Sequence, residues 1–384
     1  MARTMVQRTD GWVRPYLLRW AREQVGLELD QAASELNVEA QKLHAWEQGT
    51  ESPSIQDLER LARLYVRSVR DFFLDAPPRE PTLDLRLGPH RTLSPKTREL
   101  LLLFRLMYED AVDLLGRTGQ RPTNIERVGE PAEVLENSEA AALVLRRNLA
   151  NGSSARDRHE AFQSWRTAIE HAGVLTFSLP LKPQECRGAS LWPQDGVPAI
   201  VISGRDSVNG RTFTLLHEFA HLAMLETAGD REIVCSFRDE AERAANAVAA
   251  NVLVPSEDLH ADLERRDRNQ YNDHWSDYVL GNIADGFKVS KDVIAIRLEE
   301  LNLAPKGFYW RKRDTWDAQG PPGFPRGGVP GRTKWQHKRN EVGDYYGSAI
   351  AHAWRNERIT FGEAVRLLDL PPQHTKRFLE EMAR

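Results

Sequence analysis

Between Val13 and Leu74 the apolar positions recur three and four residues apart, and Gly26, Asn37, Gly49 and Pro53 interrupt them. That spacing predicts several short helices. Leu27-x-x-x-Gln31-Ala-Ala-x-x-Leu36-Asn-Val38 reads as a helix, a turn and the start of the next helix, which Trp46-Glu47-x-Gly49 closes before Ser52-Pro53-Ser54 opens another. Ala76-Pro-Pro-Arg-Glu-Pro81 is a stiff linker. Ser94-Pro95 is then the cap and first turn of a helix reaching about Gly116, with further helices expected at Ala140–Leu149 and 158–172. Gly320 to Gly331 is a second Pro/Gly-rich linker. Beyond it Thr360 caps a helix over Phe361–Leu368, and Pro371-Pro372 precedes a last one through Phe378 and Met382.

The densest apolar stretch surrounds three polar residues. Phe213, Leu215, Leu216, Phe219, Ala220, Leu222, Ala223, Met224 and Leu225 flank His217, Glu218 and His221, and Gly229-Asp230 is the expected stop. Residues four apart stack on one helical face, so two imidazoles can converge on one ion with Glu218 beside them. Placing such groups in a buried helix costs several kcal/mol, on the order of the desolvation of a polar group, unless they are paired or ligate a metal.

A catalytic zinc ion takes three protein ligands and leaves one position open. The third is sought on the stretch 239–255, alanine-rich and ended by Pro255. Glu242, Asn246, Ala249 and Leu253 share a face of that helix, and its small residues permit close approach to the metal helix. Glu242 is the expected ligand and Glu240 the reserve. Zinc would acidify a water, and Glu218 would take its proton and pass it to the leaving amine. No oxyanion-stabilising residue is legible, Tyr271, His260 and His274 being the downstream candidates.

These residues carry a family resemblance. Gly210, Thr212, Phe213 and Leu216 leading into His217-Glu218-Phe219-Ala220-His221-Leu222, then Glu242-x-x-Ala245-Asn246-x-Val248-Ala249 and Leu253-Val254-Pro255, resemble the ImmA/IrrE family of zinc metallopeptidases. The resemblance implies that His217, His221 and Glu242 bind zinc and that Glu218 is the base. It also implies strands at Gly173–Phe177, Arg187-Gly188 and Pro198–Ile202 ahead of the metal helix. Ile283–Ser290 and Ile296–Leu298 read as a small helical hairpin, for which a helix-turn-helix is the alternative, though in the resembled family such a segment supports the peptidase fold. Val248 and Val254 stand where larger apolar residues are often seen. A His-His-Glu site also accepts manganese or other divalent ions.

The first eighty or so residues resemble the Xre/Cro-type helix-turn-helix fold of phage repressors, whose matching helix, about Glu39 to Trp46, enters the major groove. Glu39, Gln41, Lys42 and His44 are then the DNA-facing candidates. Gln41 can pair bidentately with adenine, and Lys42 and His44 can reach phosphates. Residues 1–75 hold about ten basic and about twelve acidic side chains, too even a balance for a strong phosphate footprint. DNA binding is therefore expected to depend on a homodimer, and protein contact is the alternative use of such a domain.

With 384 residues, 41% apolar and 28% charged, the chain can bury two or three cores. The fold expected is mainly α with a small β-sheet (α+β): a helix-turn-helix domain at 1–76, a linker at 77–93, the metallopeptidase domain at 94–305, a linker at 306–331 and a helical module at 332–384. Lys334, Lys338 and Arg339 at the head of that module read as a solvated basic face. The start lacks an apolar signal core and no apolar run reaches membrane length, so a cytoplasmic location without membrane contact is expected. Cys186 and Cys235 fit that compartment unbonded. The net charge of −4 argues against bulk coating of nucleic acid.

Two readings of function remain. One is a regulatory zinc endopeptidase that cuts a repressor or other partner protein. The other is a repressor or antitoxin whose peptidase-like domain binds a partner, such as a cognate toxin, without cutting it. The intact glutamate base and ligands favour the first.

Overall fold

The computed structural model describes residues 12–25, 27–65, 67–77, 84–87, 93–119, 123–149, 155–191, 196–224, 238–267, 272, 274–318 and 333–383. The expected stops and candidates at Gly229-Asp230, Cys235, Tyr271 and 320–331 lie outside them. The chain divides into two compact units, residues 1–81 with 93–106, and 82–92 with 107–384.

The first unit holds α1 (Pro15–Gln24), α2 (Leu29–Leu36), α3 (Ala40–Gln48), α4 (Ile55–Tyr65) and a 3-10 turn at Val69–Phe73. Two of the predicted breaks are left-handed helix ends, and Gly26 lies outside the described residues. Asn37 (φ 52) and Gly49 (φ 75) adopt the left-handed conformation that ends α2 and α3. At Gly49 a side chain would also come within 2.8 Å of Pro15 Cγ. Leu17, Leu43, Trp46, Leu58, Leu61, Tyr65 and Phe72 form the core. Arg22 clamps α1 to α3 through a bidentate pair with buried Glu47, at 2.7 and 2.9 Å.

In the second unit the elements run β1 (Asp84–Leu87), α5 (Pro95–Thr118, begun in the first unit), α6 (Pro131–Glu136), α7 (Ser138–Leu149), α8 (Arg158–His171), β2 (Leu175–Leu179), β3 (Cys186–Leu191), β4 (Ala199–Ser203), α9 (Val208–Met224), α10 (Arg238–Leu253), α11 (Ser256–Arg265), α12 (Asp277–Phe287), α13 (Lys291–Glu300), α14 (Phe308–Ala318), α15 (Lys334–Arg355), α16 (Phe361–Leu368) and α17 (Pro372–Met382). The expected strands and hairpin are thus present. The four strands form one sheet in the order β1-β3-β4-β2, with β2 and β4 parallel and the other pairs antiparallel. β2 and β4 are buried along their whole length; β4 reads as a nearly continuous apolar run, whereas β2 carries the polar Thr176 and Ser178 between its apolar residues. Gly173 (φ 87) turns the chain from α8 into β2. One apolar core joins α7, α8, β4, α9, α10, α12 and α13.

Three expectations about the connections need correction. The stretch expected as linker at 77–93 supplies strand β1, paired to β3. The second, at 306–331, carries helix α14, whose Phe308 is buried in the core. The C-terminal helices are packed into the second unit, and α15 seats against β2 through a buried network. Arg166 donates to the Thr176 carbonyl (2.9 Å) and to the Asn340 carbonyl (2.7 Å). Glu170 Oε2 accepts the backbone N–H of Asp344 and Tyr345 at 2.9 and 3.0 Å, and Glu170 Oε1 accepts from the Thr176 hydroxyl. Gly343 breaks α15 at φ 78, because a side chain there would stand 2.5 Å from the Thr176 carbonyl oxygen. The basic residues at the head of α15 are engaged as well: Lys338 pairs with Glu341, and Arg339 with Asp344.

Candidate functional site

α9 packs its apolar faces into the core on both sides of the three polar residues, leaving His217, Glu218 and His221 no more than 4% exposed. The four-residue spacing stacks the imidazoles, with ring centroids 4.7 Å apart and planes at 71°. Their Nε2 atoms meet at 3.1 Å. From α10, Glu242 places one carboxylate oxygen 3.4 Å from His217 Nε2 and the other 3.6 Å from His221 Nε2. Glu240, the reserve ligand, is exposed on α10.

The donor set fits a divalent ion. The two Nε2 atoms and the Glu242 carboxylate, which turns a different oxygen to each ring, are separated by distances near the roughly 3.3–3.4 Å that a tetrahedral ion bonded at about 2.0–2.1 Å sets between its ligand atoms. Among the described residues, His217, His221 and Glu242 are the cluster able to hold a metal. Burial pushes the Glu242 carboxyl up, but hydrogen bonds to His217 and His221 outweigh it and hold the group well below the usual carboxylate range. Glu242 is therefore an anion at any working pH. Neither His260, on α11, nor exposed His274, ahead of α12, is part of this cluster.

Three further residues shape the site, and their roles were not legible in the chain. Asn246, one turn beyond Glu242 on α10, lies with Oδ1 3.1 Å from His217 Nδ1. In a neutral ring whose proton sits on Nδ1 and is donated to Asn246, Nε2 has a lone pair for an ion in place of the hydrogen bond it gives Glu242. Ser190, on β3, donates its hydroxyl to Glu218 Oε2 at 2.9 Å. Gly188, two positions earlier on the same strand face, lets the other carboxylate oxygen rest on bare backbone: a Cβ there would stand 3.2 Å from Glu218 Oε1 and 2.5 Å from Thr214 Cγ2. Cys186, next along that face, is free and buried. Burial, with the Glu218 charge nearby, pushes its thiol up to about 12, so it stays protonated and takes no part as a thiolate.

On α3, Glu39 at the cap and Gln41, Lys42 and His44 within the helix are all exposed, while Leu43, Trp46 and Glu47 face inward. Lys42 reaches back over the Trp46 ring, 5.3 Å from its centroid. Asn37, Val38 and Glu39 join α2 to α3, as in a helix-turn-helix pair.

Comparison with known families agrees with both units. The profile of the IrrE N-terminal-like domain, a peptidase family, matches residues 169–299, from the end of α8 to α13. A helix-turn-helix domain profile matches residues 17–71. No curated protein matches the chain. Residues 169–299 are therefore an IrrE N-terminal-like peptidase domain, and the chain has the ImmA/IrrE architecture with a helix-turn-helix domain ahead of it.

Proposed function

We propose that this protein is a regulatory zinc metallopeptidase that cuts a specific protein partner, a repressor being the expected kind, and that its helix-turn-helix domain brings it to DNA or to a DNA-bound target. The observation that carries this reading is the convergence of His217, His221 and Glu242 within 3.1–3.6 Å, with Glu218 held alongside by Ser190. A buried pair of imidazoles and two carboxylates is costly to keep for packing alone.

A divalent ion bound to these three residues supplies the Lewis acidity that polarises a peptide carbonyl and acidifies a water. The chain's own groups do the rest. Glu218 accepts a proton from the attacking water and returns it to the leaving amine. Ser190 holds one carboxylate oxygen and so fixes the orientation of Glu218. Asn246 holds the His217 ring in the tautomer and orientation that ligation needs. Zinc suits two imidazoles and one carboxylate, and manganese is the second choice.

On DNA, Gln41 is the base reader, Lys42 and His44 contact phosphate, Glu39 borders the groove, and a homodimer supplies affinity. Among the described residues no helix is long and apolar enough to cross a membrane. Action on a DNA-bound regulator places the work in the cytoplasm.

Elemental analysis of the purified wild type and His217→Ala tests the reading. One equivalent of zinc in the wild type and none in the variant is expected. Glu218→Gln, which keeps the ligands, should then trap the partner that the wild type cuts. Absence of metal from the wild type after reconstitution sinks the peptidase reading and leaves partner binding without cleavage.

A further inference from the structure

The two ends of the sheet are closed in different ways. At β2, Arg166 and Glu170 tie the strand to α15 through buried, charge-assisted bonds. At β3 the closure among the described residues is β1, a four-residue strand. Its register with β3 is regular for Asp84↔Ser190, Leu85↔Ala189 and Arg86↔Gly188, then breaks before Leu87↔Cys186. So short and interrupted a ladder is easily exchanged for another strand.

The position of β1 gives the exchange a purpose. Gly188 and Ser190 are the β3 residues against which the Glu218 carboxylate rests. An extended chain laid antiparallel on this edge in the β1 register passes directly opposite both. Sheet edges recruit extended peptides through main-chain hydrogen bonds, with little demand on sequence. A protein substrate must bring a peptide bond to Glu218 in an extended form, and this edge is the surface that would align it.

We propose that β1 occupies the strand-pairing edge on which an extended peptide substrate is presented to Glu218, so that residues 84–87 are an internal competitor that keeps the peptidase closed until displaced. This rests on the peptidase reading for its purpose, while the competition itself is a binding equilibrium that can be measured without cleavage.

The test uses the full chain carrying Glu218→Gln, so that no probe is cut, and a fluorescein-labelled peptide copying residues 82–88 followed by anisotropy. In one variant Leu85→Pro and Arg86→Pro are combined. Alternate N–H groups of a strand face its neighbour, so one of two adjacent prolines must delete a ladder bond. In a second variant residues 83–88 become a glycine-serine segment of equal length, which decides the matter if the proline variant loses its helical circular dichroism. At least tenfold tighter binding to the opened chains than to the parent is expected. Equal affinity within twofold, or no binding to either, overturns the proposal. Metal content measured on the same samples reports separately on the peptidase reading, since strand pairing needs no ion.

Discussion

Asn246 Oδ1 sits 3.1 Å from His217 Nδ1 while Glu242, one turn earlier on the same helix face, reaches the Nε2 side of the same ring. α10 therefore grips His217 from both nitrogens. Orientation of the first imidazole and supply of the proposed third ligand are a single property of how α10 lies against α9. Asn246→Ala should keep the fold and lower metal affinity about 10–100-fold, the usual cost of losing the group that orients a ligating histidine. Competition against a chromophoric chelator measures it, and unchanged affinity would remove Asn246 from the site.

Acid should release the metal through the histidines. Glu242 has its carboxyl held well below the ordinary range, so it stays charged down to strongly acidic pH and contributes its charge throughout. Both rings must be neutral to ligate, so affinity is expected to fall as the pH is lowered and protons compete with the ion for them. A metal titration from pH 8 to 4 checks this, and an affinity that stays constant across it would mean that the imidazoles are not ligands.

Gly188→Ala should damage catalysis more than metal binding. The new methyl would meet Thr214 Cγ2 at 2.5 Å and crowd Glu218 Oε1, while the three ligands lie on other elements. Overpacking of this kind costs about 1–3 kcal/mol of stability. Full metal occupancy with a large loss in turnover of the trapped partner is the expected pair of results.

The C-terminal helices should be inseparable from the peptidase fold. Arg166→Met leaves Glu170 buried without its guanidinium, and breaking a buried pair from one side typically costs about 3–5 kcal/mol. Denaturant unfolding should show that loss in the transition of the second unit. Truncation at residue 332 should lower the stability of the same transition, and an unchanged midpoint would show the tail to be dispensable.

At the helix-turn-helix domain, Lys42→Ala should weaken binding alike on every DNA sequence and reduce the salt dependence by about one counterion, whereas Gln41→Ala should cost about 1–3 kcal/mol on the preferred operator alone. Salt-titrated gel shifts separate the two outcomes. Equal losses on all sequences for both variants would remove Gln41 as a base reader.

What the sequence determined on its own was whatever a single helix or turn can encode. The four-residue spacing put His217 and His221 on one face, the alanine-rich stretch before Pro255 placed Glu242 on a helix, and Asn37, Gly49 and Thr360 marked ends that the backbone honours. Such signals are local, because they depend on side chains a turn or less apart. The tertiary structure decided the rest. It chose Glu242 over Glu240 by the rotation of α10, gave Asn246 a partner 29 positions away, and brought Ser190 to Glu218 across 28. It also drew 84–87 out of an expected linker into the sheet and closed Glu170 on Asp344 across 174 residues. Those pairings have no period in the sequence: they arise when separate apolar faces are buried together, and packing in three dimensions selects which polar groups then meet.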